Sequence, residues 1–236
     1  MKPKDRLAAL DWDAIEASLD ARGFASLPKL LDRNACDALI RLYADPRRFR
    51  KRVEMQRHGY GRGDYQYFAD PLPALVSQIR TAAYPYAAGI ANAWERKLRT
   101  QRRWPERLVD LRARCAAAGQ PHPTPLLLRY EAGGYNCLHR DLYGPLVFPL
   151  QLAVFLSEPG RDYQGGAFLL VEQRPRSQSV GEALLPRRGE AVLFASAQRP
   201  RSGARGFHRA GMRHGVATVT HGRRWTLGVI FHDADA

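Results

Sequence analysis

His139, Arg140 and Asp141 carry the sharpest chemical signal in the chain. Side chains two apart on an extended strand point to one face, so an imidazole and a carboxylate can converge on a single point. A second imidazole from a distant strand would complete a face of two nitrogens and one carboxylate oxygen. On ferrous iron that set leaves coordination positions open for a co-substrate and oxygen. His-x-Asp is short and recurs by chance, so the same pair could instead sit at a strand end bonded to neighbouring charges.

Three histidines could supply the remaining ligand: His208, His214 and His221. His221 precedes Gly222 between two β-rich runs, which predicts a hairpin turn. His208 lies among Arg201, Arg205, Arg209 and Arg213, which predicts a solvated loop. His214 opens the run HGVATVTHGRRWTLGVIF. A three-residue loop of His221, Gly222 and Arg223, or a bulge, would bring His214 and Arg224 to one face of neighbouring strands. An inward-facing guanidinium needs an anion, and its planar fork suits a carboxylate. Tyr130, on the strand before His139, could give its hydroxyl to that carboxylate or pack in the core.

The elements that must hold these residues divide near Pro121. Upstream, Trp12, Ile15 and Leu19 make one helical stripe closed by Gly23, and Phe24 to Leu27 reads as a short strand. Asp32 caps a second helix with Cys36, Leu39, Ile40 and Tyr43 inside. The basic run around Arg47 to Arg52 leads into HGYGRGDYQYF, whose three glycines predict a loop. Pro73 opens a third helix that Pro85 breaks or kinks, and Pro105 starts a last one through Leu108, Leu111 and Cys115. Downstream come about eight short strands: 126–130, 135–139, 146–156, 167–171, 191–194, 207–210, 215–220 and 225–231. Turn residues separate them, as in a barrel or a two-sheet jelly roll. The fold class is therefore α+β, in one domain over 1–236, with 1–120 mainly helical and 121–236 holding the β core.

The chain has 236 residues, 45% hydrophobic and 25% charged. That is an ordinary globular balance, which excludes disorder and collagen-like structure. Lys plus Arg number 37 against 23 for Asp plus Glu, a net charge of +14 that favours a polyanionic partner or an acidic small substrate. The spacing of Cys36, Cys115 and Cys137 fits no zinc pattern, so reduced thiols in the cytoplasm are expected. The N-terminus has acidic residues where a signal peptide needs an apolar run. The longest uncharged stretch, which lies between Asp141 and Glu158 and includes Gly144 to Ser157, is shorter than the ~20 residues of a membrane span.

Together LLLRYEAGGYNCLHRD, GGAF, RRGEAVLF and HGVATVTHGRRWTL resemble the iron(II)/2-oxoglutarate dioxygenases, which are built on a double-stranded β-helix. MQRHGYGRGDYQYF, DPLP, ANAW, YNCLHRDLYGPLVFPLQ, EQRPRSQS and RHGV are similar to one bacterial family within them. That family is labelled as catalysing oxidative methylation, in effect demethylation, of damaged DNA. The resemblance covers nearly the whole chain. It implies that His139, Asp141 and His214 hold iron(II), and that Arg224, helped by Tyr130, anchors 2-oxoglutarate, with O2 as the other co-substrate. It further implies damaged DNA or RNA, preferably single-stranded, as partner. Hydroxylation of a protein side chain or free amino acid is the alternative, and a non-catalytic nucleic-acid-binding jelly roll the third. In this chain Arg140 stands where the family usually has Gln, and Ala167 where it usually has Glu. Leu128 replaces an asparagine used by the AlkB-type enzymes, so co-substrate contacts should differ in detail.

Overall fold

A computed structural model describes residues 2–142, 144–174, 177–204 and 206–235. Arg205 falls outside them. The helices are α1 (Pro3–Ala8), α2 (Trp12–Arg22), α3 (Arg33–Leu42), α4 (Ala74–Lys97) and α5 (Leu108–Ala117). Asp11 and Asp32 each accept a backbone N–H in the first turn of α2 and α3, and Gly23 closes α2 in the left-handed region. Most of the expected stripes are buried, Ile15 and Leu19 in α2, Cys36 and Leu39 in α3, Leu108, Leu111 and Cys115 in α5, while Trp12 and Ile40 are partly buried against the same core. Pro85 does not break α4. Ala83, Tyr84, Ala87 and Ala88 are buried around it, and that packing holds the helix through the missing N–H.

Among the described residues, four strands precede residue 120: β1 (Phe24–Leu27), β2 (Phe49–Glu54), β3 (Gly61–Arg62) and β4 (Asp64–Phe68). Next come β5 (Leu126–Glu131), β6 (Tyr135–His139), β7 (Leu150–Phe155), β8 (Tyr163–Gly165) and β9 (Phe168–Gln173). The last are β10 (Val180–Leu184), β11 (Ala191–Ala195), β12 (Gln198–Gly203), β13 (Gly206–Val216) and β14 (Val219–Ile230). They form two antiparallel sheets. The larger runs β1-β11-β7-β14-β5-β4-β2 with β8 on β14, and the smaller runs β10-β9-β13-β6-β3 with β12 on β13. The fold is α+β with a jelly-roll core, as expected.

Side-chain alternation explains how the core divides. On β7, Leu150, Leu152 and Val154 join the core shared with the helices. Ala153 and Phe155, one residue out of phase, pack against Phe168 and Leu170 of the opposite sheet. On β14, Trp225, Leu227 and Val229 face the helices, while Arg224, Thr226, Gly228 and Ile230 line a cavity between the sheets. The larger sheet is therefore covered on both faces, and its inner face forms the wall of the site.

Two expectations need correction here. The segment 47–68 is not a loop: β2 and β4 pair with each other, and β4 pairs with β5, so they extend the larger sheet to its edge. The charged side chains of β2 are those of an edge strand, where they discourage pairing with another chain. The first 120 residues thus complete both sheets, and the β core is not confined to 121–236. The three cysteines are unpaired, Cys36 and Cys115 buried and Cys137 exposed. Among the described residues no helix is long and apolar enough to cross a membrane.

Candidate metal centre

β6 and β13 run side by side with His139 opposite His214. The register then shifts, Val216 pairing with Asn136, and this bulge turns both Asn136 and His139 toward the interior. Asp141 follows two residues after His139 and is buried. Its two carboxylate oxygens lie 3.5 Å from His139 Nε2 and 3.2 Å from His214 Nε2. One donor atom from each of the three residues lies within 4.8 Å of the others. The carbonyl of Cys137 is 2.8 Å from His139 Nδ1. A carbonyl can only accept, so Nδ1 carries the proton and the lone pair of Nε2 points at the cluster. Gln151 donates to Asp141 Oδ2 at 2.9 Å and so orients the carboxylate. Two imidazole nitrogens and one carboxylate oxygen are a donor set that suits a first-row divalent metal with positions to spare.

Electrostatics prepares the same set for a cation. Burial alone would raise the pKa of Asp141, but His214 and His139 more than offset it and hold the carboxyl well below its usual range. Burial pushes His214 down, with Asp141 only partly opposing, so this ring is neutral at neutral pH. At His139 burial also pulls downward, but the hydrogen bond and charge of Asp141 prevail and the pKa is raised. A metal requires both rings deprotonated and the carboxylate ionised.

Across the cavity, which measures about 410 Å³, stands Arg224. It is only 1% exposed. Its Nη1 donates to Thr226 Oγ1 at 2.7 Å, and its guanidinium lies over the rings of Phe155, Tyr130 and Tyr163 at 5.3, 5.6 and 6.0 Å. Among the described residues no carboxylate forms an ion pair with it, and its Nε has no hydrogen-bond partner. Burial pushes its pKa below the ordinary guanidinium range, partly offset by Tyr163 and Tyr130. Tyr130 is fully buried, its hydroxyl accepts from Asn136 at 3.3 Å, and burial lifts its pKa to about 12. That hydroxyl keeps its proton and can donate to an anion held by Arg224. Gly166 makes room for the arginine: a Cβ there would come within 2.8 Å of Val219 and 3.0 Å of the Arg224 side chain.

His139, Asp141, His214, Arg224 and Tyr130 therefore all line one cavity, as the sequence predicts. The predicted route to that arrangement is wrong. His221, Gly222 and Arg223 do not form a hairpin loop but lie inside β14, where His221 and Gly222 pair with β8. The chain crosses between the sheets at Ala217 and Thr218, so His214 and Arg224 face each other from opposite sheets instead of sharing a face on paired strands. Gly222 is glycine because a Cβ would meet the Asp162 carbonyl at 2.2 Å. His208 is exposed, but in β13 opposite Arg201, not in a loop. Arg140 donates to the Met212 carbonyl and to Gln173, away from Asp141. Three contributors escaped the sequence reading: Gln151, Asn136 and Thr226. Gln151 was detectable as the lone polar residue in the apolar run 150–156, and Thr226 as the residue sharing a strand face with Arg224.

Residues 63–234 match the family described as "Oxygenase, catalysing oxidative methylation of damaged DNA", a span that includes the whole cluster and Arg224. The chain belongs to this family. The oxygenase is 46% identical over 167 residues to an uncharacterized protein of Mycobacterium tuberculosis strain H37Rv, covering 71% of this chain and 72% of that one. Its fold is similar to that of a Pseudomonas putida prolyl-4-hydroxylase, with TM-score 0.53 and 15% identity over 92% of this chain and 96% of the other. It is also similar to a 2OG-Fe(II) oxygenase-family oxidoreductase from Burkholderia pseudomallei, with TM-score 0.54 and 14% identity over 96% and 94% of the two chains. The epimerase SnoN from nogalamycin biosynthesis matches with TM-score 0.54 and 16% identity over 92% and 80%. At these identities the likeness is one of fold.

Proposed function

We propose that this oxygenase is an iron(II)- and 2-oxoglutarate-dependent dioxygenase that oxidises alkylated bases of nucleic acids. The observation that carries the reading is the meeting of His139, Asp141 and His214 in one cavity with a buried arginine that no carboxylate of the described residues pairs. His139, Asp141 and His214 would hold the metal; Arg224, with Thr226 and the Tyr130 hydroxyl, would hold the distal carboxylate of 2-oxoglutarate. When bound, iron, 2-oxoglutarate and O2 supply the oxidation that hydroxylates a C–H bond and release succinate and CO2. An N-methyl carbon hydroxylated in this way leaves as formaldehyde. The chain itself binds, orients and keeps the site dry. Gln151 fixes the carboxylate of Asp141, the Cys137 carbonyl fixes the ring of His139, and Phe155, Phe168 and Phe194 wall off water. Residues 1–236 would act as one domain, because β1, β2 and β4 complete the sheet that carries Arg224.

A nucleic-acid substrate is supported by the family's description and by the +14 net charge. Succinate release measured with methylated single-stranded DNA, proline-containing peptides and free amino acids is the deciding comparison. DNA should stimulate release most, and its binding should weaken steeply as salt rises, because phosphate contacts release counterions. Stimulation by peptides or amino acids alone would sink the nucleic-acid reading while leaving the dioxygenase reading intact.

The role of Gln151 is separately testable. Gln151→Leu removes the donor to Asp141 and should lower ferrous-iron affinity about 10- to 100-fold, read by competition with a chelator. An unchanged affinity would show that the carboxylate is held without it.

A further inference from the structure

Tyr60 is a large aromatic side chain left 48% exposed at the mouth of the cavity. An exposed tyrosine on a mobile loop would mean little, but this one is fixed. Its backbone N–H donates to the Met55 carbonyl at 3.1 Å, and its own carbonyl accepts from Cys137 N at 2.9 Å, which ties it to the strand that carries His139. Gly59 and Gly61 flank it at φ 70° and 131°, and a Cβ on Gly61 would strike the Tyr135 carbonyl at 2.4 Å. Only glycine lets the chain pass there, so the backbone that presents the ring is specified by the sequence. The His58 ring stacks on it, centroids 5.3 Å apart and planes 22° from parallel, which buttresses one side of an aromatic surface at the cavity mouth. Leu138 also lines the cavity and is 39% exposed, adding an apolar edge beside it.

A ring carried on an anchored backbone, with an imidazole stacked on one side, costs less to order when a flat partner arrives than one on a free loop. Every nucleobase has a π-face that such a ring can stack on, whereas an aliphatic side chain does not. We propose that Tyr60 is the stacking platform that receives a planar heteroaromatic base at the entrance of the cavity, and that it selects flat rings over aliphatic substrates. The inference rests on the nucleic-acid reading of the site and deepens it. The flanking charge agrees with a strand whose phosphates stay outside: Arg62 is exposed two residues beyond Tyr60, while the exposed Arg57 on the other side is paired with Glu54 at 2.7 Å.

The test uses the full chain loaded anaerobically with ferrous iron and 2-oxoglutarate, so that nothing turns over. The probe is a short single-stranded oligonucleotide carrying one fluorescent etheno-adenine. Wild type should bind the probe and quench it. Tyr60→Phe should stay within about twofold, while Tyr60→Leu, which keeps apolar bulk without a π-face, should bind about 10- to 100-fold more weakly and lose the quenching. Leu185→Ser, which removes an exposed apolar side chain elsewhere, should match wild type. The visible band of the loaded centre, recorded for each variant, reports that the fold is intact. Equal binding and quenching by Tyr60→Leu would overturn the platform while the nucleic-acid reading stands. Losses as large in Tyr60→Phe would assign the effect to the hydroxyl and overturn stacking. If wild type itself fails to bind the probe, the nucleic-acid reading falls and this inference falls with it.

Discussion

His214→Ala should abolish the visible absorption band that anaerobic protein shows with ferrous iron and 2-oxoglutarate, and succinate formation should fall by about a thousandfold or more. The reason is geometric. His214 Nε2 is one of three donors that meet within 4.8 Å, and His139 and Asp141 alone offer one nitrogen and one carboxylate. The substitution also takes from the buried Asp141 one of the two rings that keep its carboxyl ionised. His208→Ala and His221→Ala are the informative controls. Both histidines are rivals on sequence spacing alone, yet both are exposed in the structure and neither lines the cavity. Each should leave the band unchanged. A band that survives His214→Ala, or one lost in His208→Ala, would place the metal elsewhere.

What the sequence reveals of the fold depends on how local each signal is. The caps of α2 and α3, and the glycine that closes α2, act through neighbouring backbone groups, and they are legible. The strands β2 and β4 are not, because the glycines at 59, 61 and 63 dominate the pattern around them. In the structure Gly59 does close a turn in the left-handed region, but Gly61 and Gly63 serve close backbone approaches, with the carbonyls of residues 135 and 129 against them. A glycine needed for lack of space looks the same in sequence as one needed for a turn. Gly222 misleads for the same reason. It reads as the tip of a hairpin, but it sits mid-strand against the Asp162 carbonyl.

The candidate site was more legible than the fold that builds it. His139 and Asp141 follow from strand periodicity, and Arg224 from the chemistry of an inward guanidinium. His214 and Arg224 share a cavity, as strand phase predicts, but they do so from opposite sheets and not from paired strands. Period-two alternation tells which residues share a face of one strand, but not which sheet a strand joins. Ala217 and Thr218, where the chain changes sheets, carry no distinctive signature. Asn136 was hidden by the bulge on β6, which puts residues 136 and 139 on the same side although their spacing is odd.

Arg224→Met should move two properties in opposite directions. Affinity for 2-oxoglutarate, titrated by the visible band, should fall at least about 30-fold and as far as a few thousandfold, the range expected when one partner of a buried, hydrogen-bonded charge pair is truncated. Stability of the protein without 2-oxoglutarate should not fall, and should rise by as much as roughly 1–4 kcal/mol. Arg224 is 1% exposed, its charge faces Thr226 and three aromatic rings, and no carboxylate among the described residues neutralises it. A methionine would fill the space that the arginine's stem takes beside Gly166 without desolvating a charge. Arg224→Lys should lie between, keeping the charge but not the fork that grips two oxygens. Thermal unfolding without ligand and 2-oxoglutarate titration of the same three proteins separate binding from structure. A variant that loses affinity and melts at lower temperature would make Arg224 a structural residue. One that binds 2-oxoglutarate as wild type does would leave the buried guanidinium without the anion its environment calls for.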